Sequence, residues 1–191
     1  SAKQDNAHAQ HFIGLMFKLG QGVRKSHAEA AKWFKRSAEQ NDQGALLELA
    51  MLYRQGLGVV KDEARRFQLL IRAAELGNSV AKFRVAQSYA QGLGVAVDLN
   101  QAAQWYRSAA IQGHVVAQNL LGLLYAEGEA LALSYTESAK WLTMSANQGY
   151  MFSQLTLGAM YQTGKGVDKS VEQALYWYQQ AAEQGSEDAQ Y

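Results

Sequence analysis

The chain contains no cysteine in its 191 residues. Disulfides, thiol nucleophiles and thiolate metal ligands are therefore excluded, and redox leaves the compartment open. It also lacks an excess of charge of either sign, because 18 basic and 17 acidic residues give a net charge of +1. That balance excludes a strongly basic nucleic-acid binder and an acidic tail protein. No apolar run approaches the ~18 residues a membrane-spanning helix needs, so no membrane insertion is expected. The first residues show no signal-peptide pattern. There is no G-x-S-x-G elbow and no visible pairing of a nucleophile with a base. The sequence therefore points to no catalytic residue and no cofactor, and it reads as a non-enzyme.

What the chain does have is a repeat of constant length. Ala9, Ala45, Ala81, Ala117, Ser153 and Ala189 lie 36 residues apart. In the same register run Phe17, Tyr53, Tyr89, Tyr125 and Tyr161, then Gly20, Gly56, Gly92, Gly128 and Gly164. Trp33, Leu69, Trp105, Trp141 and Trp177 follow, and Ala38, Ala74, Ala110, Ala146 and Ala182 close each unit. Self-similarity at this period marks a solenoid, in which each unit buries its apolar face only by stacking on its neighbours. The repeats run over about 6–41, 42–77, 78–113, 114–149 and 150–185, with 186–191 expected to open a sixth. The chain is accordingly expected to be part of a longer protein, entered near a repeat boundary at Ser1 to His8 and left at Ala189, Gln190 and Tyr191.

Repeat 2 shows the physical logic. Asp42 is a favoured N-cap, and Ala45, Leu49, Leu52 and Tyr53 fall on one face of the helix that follows. Gly56 stands where a helix end turns left-handed. Asp62 caps a second helix with Phe67, Leu69, Leu70, Ala73 and Ala74 on its apolar stripe. The two helices are expected at about 43–55 and 62–76, within ~2–4 residues. The second-helix caps recur as Ser26, Asp98, Ser134 and Ser170, followed three residues later by Glu29, Gln101, Glu137 and Gln173. This is a capping-box pattern, in which the second side chain reaches back to the cap's amide. Small residues at Gly14, Ala50, Ala86, Gly122 and Gly158 allow close helix approach. In repeat 4, Ala130 replaces a connector glycine, so Gly128 is expected to carry the left-handed turn alone.

Residues Ala81, Tyr89, Gly92-Leu93-Gly94-Val95, Asp98, Ala102, Trp105-Tyr106, Ala109-Ala110 and Gly113 of repeat 3 carry a recognisable pattern. It is A-x4-G-x2-Y-x2-G-x-G-V, then A-x2-W-[YF]-x2-A-A-x2-G. This resembles the Sel1-like repeat, a relative of the tetratricopeptide repeat, across essentially the whole chain. The resemblance implies an all-α, right-handed α/α superhelical solenoid of five helix-turn-helix repeats, with ten helices and no strand. Members of that family are mostly adaptors and scaffolds, many bacterial and often exported, which implies a periplasmic or exported bacterial protein. The chain departs from the pattern in having no proline, in Leu69 for Trp and Arg66 for Ala, and in Ala130-Leu131 for Gly-Val. A cysteine-rich branch of the family is linked to β-lactam binding, and this cysteine-free chain lies outside it.

Other constellations weigh less. Gly20-Gln21-Gly22-Val23-Arg24-Lys25-Ser26 has the outline of a phosphate loop, but Arg24 stands where a Walker loop needs glycine and no strand precedes it. It and Gly164 to Ser170 read as connectors. His8 and His11 share a helix face, with His27 and His114 distant. Zinc takes three or four ligands, and no carboxylate pairs obviously with these histidines, so no metal site is expected. The tryptophans sit at strict period and read as core.

Two surfaces are candidates for a protein or peptide partner. In tetratricopeptide-like stacks the first helices line a concave face. Counted from the repeat alanine, its lining residues in the first three repeats are His11, Leu15, Lys18, Leu47, Met51, Arg54, Phe83 and Gln87. Asn119, Leu123, Glu127, Leu155 and Gln162 continue the face in the last two. The second surface is an edge where turns that are polar elsewhere become apolar: Val115, Val116, Tyr150, Met151 and Phe152. His114 and Tyr150 there run against the usual cap preference, and Tyr150 and Met151 are expected to be substantially exposed. The leading reading is an adaptor or scaffold, monomeric, with room for end-to-end contacts. The alternatives are a regulatory or accessory module of a larger enzyme, a part of a secretion or cell-envelope assembly, or a carbohydrate- or cell-wall-binding module.

Overall fold

The computed structural model describes residues 5–184. The expected sixth repeat and the polar turn at Gly185-Ser186-Glu187-Asp188 lie outside them. The described residues form ten α-helices and no strand, the helix-hairpin solenoid that the period implies. The chain divides into two compact units, Ser1–Asp98 and Leu99–Tyr191. The first contains α1 (Asp5–Leu19), α2 (His27–Glu39), α3 (Gln43–Gln55), α4 (Glu63–Glu75) and α5 (Ser79–Gln91). The second contains α6 (Leu99–Ile111), α7 (Val115–Glu127), α8 (Tyr135–Ala146), α9 (Met151–Thr163) and α10 (Val171–Ala182). Within each unit, every helix packs on the next in sequence.

The boundaries follow from the caps. Asp42 and Asn78 accept from the backbone N–H three residues on, at 2.8 and 2.9 Å. The first helices of repeats 2 to 5 end on Gly56, Gly92, Gly128 and Gly164, all left-handed. In the second helices, Ser26, Asp62, Ser134 and Ser170 accept from Glu29, Arg65, Glu137 and Gln173 N–H. The other half of the expected capping box is filled differently. The cap's own N–H donates to the carbonyl of the periodic aromatic: Ser26 to Phe17, Asp62 to Tyr53, Asp98 to Tyr89, Ser134 to Tyr125 and Ser170 to Tyr161, at 2.9–3.1 Å. Each connector is thus closed by one backbone bond across the hairpin, and the Glu or Gln side chain is not needed there.

Glycine and alanine set the spacing of the hairpin. A Cβ on Gly14, Gly122 or Gly158 would come within 2.5, 2.7 and 2.7 Å of Phe34, Leu142 and Tyr178 on the paired helix. Ala50 and Ala86 are buried at the equivalent positions. The second connector glycine serves stacking. A Cβ on Gly58, Gly94 or Gly166 would strike the backbone at His27, Glu63 and Tyr135, each at the start of the previous repeat's second helix. In the connector of repeat 4 only Gly128 has positive φ, and Ala130 is not left-handed. In the second unit, Trp177 packs with Ala146, Leu157 and Tyr161, and Leu142 with Ala139, Met160 and Val167. Arg66, in place of the usual alanine, is buried and donates to Glu63 Oε2 at 3.1 Å and to Ser88 Oγ at 3.3 Å. Burial pushes its pKa down, against the pull of the Glu63 carboxylate.

Candidate protein-binding surface

On the first helices of the N-terminal unit, Leu15, Leu47, Met51, Phe83 and Gln87 are half-buried and Arg54 is exposed. The side chains therefore leave apolar area accessible between polar groups. Two predicted lining residues are engaged within the protein. Lys18 Nζ lies 2.5 Å from Glu48 Oε2, tying α1 to α3. His11 Nδ1 lies 3.1 Å from Asp42 Oδ1, with its ring edge-on to Phe34. His8 Nδ1 approaches the other oxygen of the same carboxylate at 2.7 Å. The expectation that no carboxylate meets these histidines is thus corrected. Asp42 is buried, caps α3 and faces both, a contact between adjacent repeats that spacing along one helix does not reveal. No group of three or more His, Asp or Glu among the described residues could hold a metal ion. The Gly20 and Gly164 loops are connectors with left-handed glycines leading into the Ser26 and Ser170 caps.

In the C-terminal unit, Leu123 and Leu155 are half-buried, and Glu127 and Gln162 exposed. Gln162 Oε1 accepts from the Tyr178 hydroxyl. Asn119 is buried and accepts from Ser153 Oγ at 2.8 Å, so it joins neighbouring repeats and is not on offer to a partner. Beside these residues runs an apolar groove of about 250 Å³, walled by Ala126, Tyr135, Thr156, Ala159, Met160 and Thr163. Lys165 Nζ stands 5.5 Å over the Tyr135 ring at its mouth. Ala126 and Ala159 hold the register positions of Arg54 and Met51. Sequence reading missed them because small residues carry no hydropathy signal, although the period locates them.

The edge surface is rearranged relative to expectation. Tyr150 and Met151 are half-buried, not substantially exposed, as are Val115 and Val116. Phe152 carries the exposed apolar area, at 56%, with the Tyr150 ring 5.6 Å away. Residue 114 also has a local explanation that the sequence concealed. His114 Nδ1 accepts from Ala117 N–H at 3.2 Å and so serves as the N-cap of α7. Burial lowers its pKa, opposed by its backbone hydrogen bond, which favours the neutral ring this cap requires. Tyr150 makes no side-chain cap bond.

The comparisons with known proteins agree with this geometry. The Sel1 repeat model matches residues 7–42, 44–78, 79–114, 115–150 and 152–186. A protective antigen of uropathogenic Escherichia coli displaying an SLR fold is 34% identical, with a TM-score of 0.94. The match covers 100% of this chain and 41% of that one. A Sel1 repeat protein from Oxalobacter formigenes is 30% identical, with a TM-score of 0.90, over 96% of this chain and 75% of that one. A Sel1 repeat protein from Klebsiella pneumoniae shares the fold at 22% identity and a TM-score of 0.55, over 99% and 92% of the two chains. No curated protein matches in sequence. Five matched repeats in the register of the ten helices place the chain in a family: it belongs to the Sel1 repeat proteins.

Proposed function

We propose that the chain is a non-enzymatic adaptor that receives an extended or helical segment of a partner protein along the exposed faces of its first helices. Sel1 repeat proteins are generally scaffolds for protein interaction, and the solenoid is typically non-catalytic. The observation that carries the reading is the apolar groove walled by Ala126, Thr156, Ala159 and Met160, with half-buried Leu123 and Leu155 and exposed Glu127 and Gln162 within one helical turn of its lining residues on α7 and α9. Apolar anchors ringed by polar groups are how a groove takes a peptide or a helix. Phe152 extends the surface at the edge. Of the four periodic tryptophans expected as core, Trp141 and Trp177 are buried and Trp33 and Trp105 are half-buried. The carbohydrate alternative would rest on Tyr135, the one aromatic among the residues walling this groove.

The test is capture of the partner from the source organism by this chain and by two variants. Ala159→Arg fills the groove from an exposed position, and Phe152→Ser removes the edge anchor. Both are expected to keep the thermal midpoint while Ala159→Arg loses most of the captured protein. Equal capture by wild type and Ala159→Arg overturns the groove as the binding surface.

A further inference from the structure

The N-terminal unit holds a second concavity, of about 420 Å³, between its second helices α2 and α4 and over Leu49 and Tyr53 of α3. Its floor is Ala38, Leu49, Tyr53 and Leu69, and Lys35, Glu39, Arg65 and Arg72 stand around it. Its origin is a single departure from the repeat. Three repeats later the same register positions are Ala146, Leu157, Tyr161 and Trp177, and there the indole packs on the other three and is buried. At position 69 the indole is missing. The floor that should receive it is kept, and the space above is open.

The charges change together with the void. Lys35, Arg65 and Arg72 correspond to Thr143, Gln173 and Gln180 around the filled site. Arg72 is held across the mouth by neutral acceptors, donating from Nε to Asn41 Oδ1 at 2.7 Å and from Nη2 to the Glu39 carbonyl at 3.1 Å. Arg65 is steadied by Asp62 at 3.2 Å and by the Tyr53 hydroxyl at 3.4 Å, and Lys35 is exposed. An aromatic-shaped slot has therefore gained three cations at its rim against the carboxylates of Glu39 and Asp62.

We infer that this slot binds an aromatic side chain, best an indole, carried by an acidic segment of a partner polypeptide. The aromatic ring takes the place that Trp177 fills in its own repeat, in contact with Ala38, Leu49 and Tyr53. Neighbouring carboxylates meet Arg72 and Lys35, charge-assisted contacts that fix the direction of the segment. The inference stands apart from the groove on the first helices and does not depend on it.

The experiment is a titration of this chain with three capped pentapeptides, followed by amide NMR shifts. One has tryptophan flanked on each side by two acidic residues, one has the same tryptophan flanked by lysines, and one has alanine within the acidic frame. Saturable shifts centred on Leu69, Ala38 and Leu49, with the acidic tryptophan peptide alone, are expected. Leu69→Trp restores the repeat's own residue and should fold with an unchanged or raised thermal midpoint. It should weaken the peptide by about tenfold or more, as when a central aromatic anchor loses its pocket. Arg72→Gln should weaken binding and flatten its salt dependence. No saturable binding at millimolar peptide, equal binding of the lysine or alanine peptide, or unchanged affinity in Leu69→Trp each overturns the inference.

Discussion

His114 shows what one residue contributes in this array. Its Nδ1 lone pair caps α7 by accepting from Ala117 N–H, and a protonated ring cannot accept there. Burial lowers its pKa from the ordinary 6.5, so the folded protein binds that proton less readily than the unfolded chain. The stability this residue contributes is then fully present above pH 6.5 and is lost as pH falls through the lowered folded value. Urea midpoints of wild type and His114→Asn, compared from about pH 7.5 to 5, should diverge toward acid, with Asn keeping the cap. Parallel curves would show that the ring is not the proton-sensitive cap. The sequence could not give this role, since histidine ranks below Ser, Asp and Asn as a cap. The same holds for the meeting of His8 and His11 on Asp42, which depends on the stacking of two repeats.

At the scale of elements, hairpins and their order were legible because the period holds in every repeat and cap and glycine agree with it in most, the exceptions being the Tyr150 cap position and Ala130. The helices predicted at 43–55 and 62–76 are observed at Gln43–Gln55 and Glu63–Glu75, and the connector of repeat 4 does turn on Gly128 alone. What was not legible is the polar bonding inside the hairpins. Gln10, Gln118 and Gln154 are buried near the starts of α1, α7 and α9, and each accepts from Gln40, Gln148 or Gln184 at 2.7–2.9 Å. Repeat 2 carries Leu46 and Leu76 at these positions. Glutamine near a helix start reads as a solvated residue, so hydropathy hides the pair. A counter-intuitive cost follows. Gln148 is exposed, yet Gln148→Ala removes the donor to a buried carbonyl oxygen and should cost about 1–3 kcal/mol. Adding Gln118→Leu removes the orphaned acceptor, and the Ala110 carbonyl still accepts from Gly113 N–H. The double variant should recover most of the loss in a denaturant titration. Additive losses would show that the two side chains are not coupled.

At the scale of the whole molecule, the account rests on which face meets another protein. No helix of the described residues is long and apolar enough to cross a membrane, and the chain spans 41% of the Escherichia coli antigen it resembles. The activity and partners of any longer protein are therefore part of the proposal. Fold was readable from the sequence because every repeat restates it. The proposed binding face was readable only as a register, since the residues that open its groove, Ala126 and Ala159, are small, and the one that opens the second slot, Leu69, is conspicuous only as a tryptophan that is absent. The measurement that tests the central claim most directly is site-specific photo-crosslinking in the source cell. The photoreactive residue is placed at Ala159 or Arg54 on the first helices, or at exposed Lys140 on α8. The account predicts a discrete crosslinked protein from positions 159 and 54 and none from 140. Crosslinks from 140 alone, or none from any first-helix position, would contradict it.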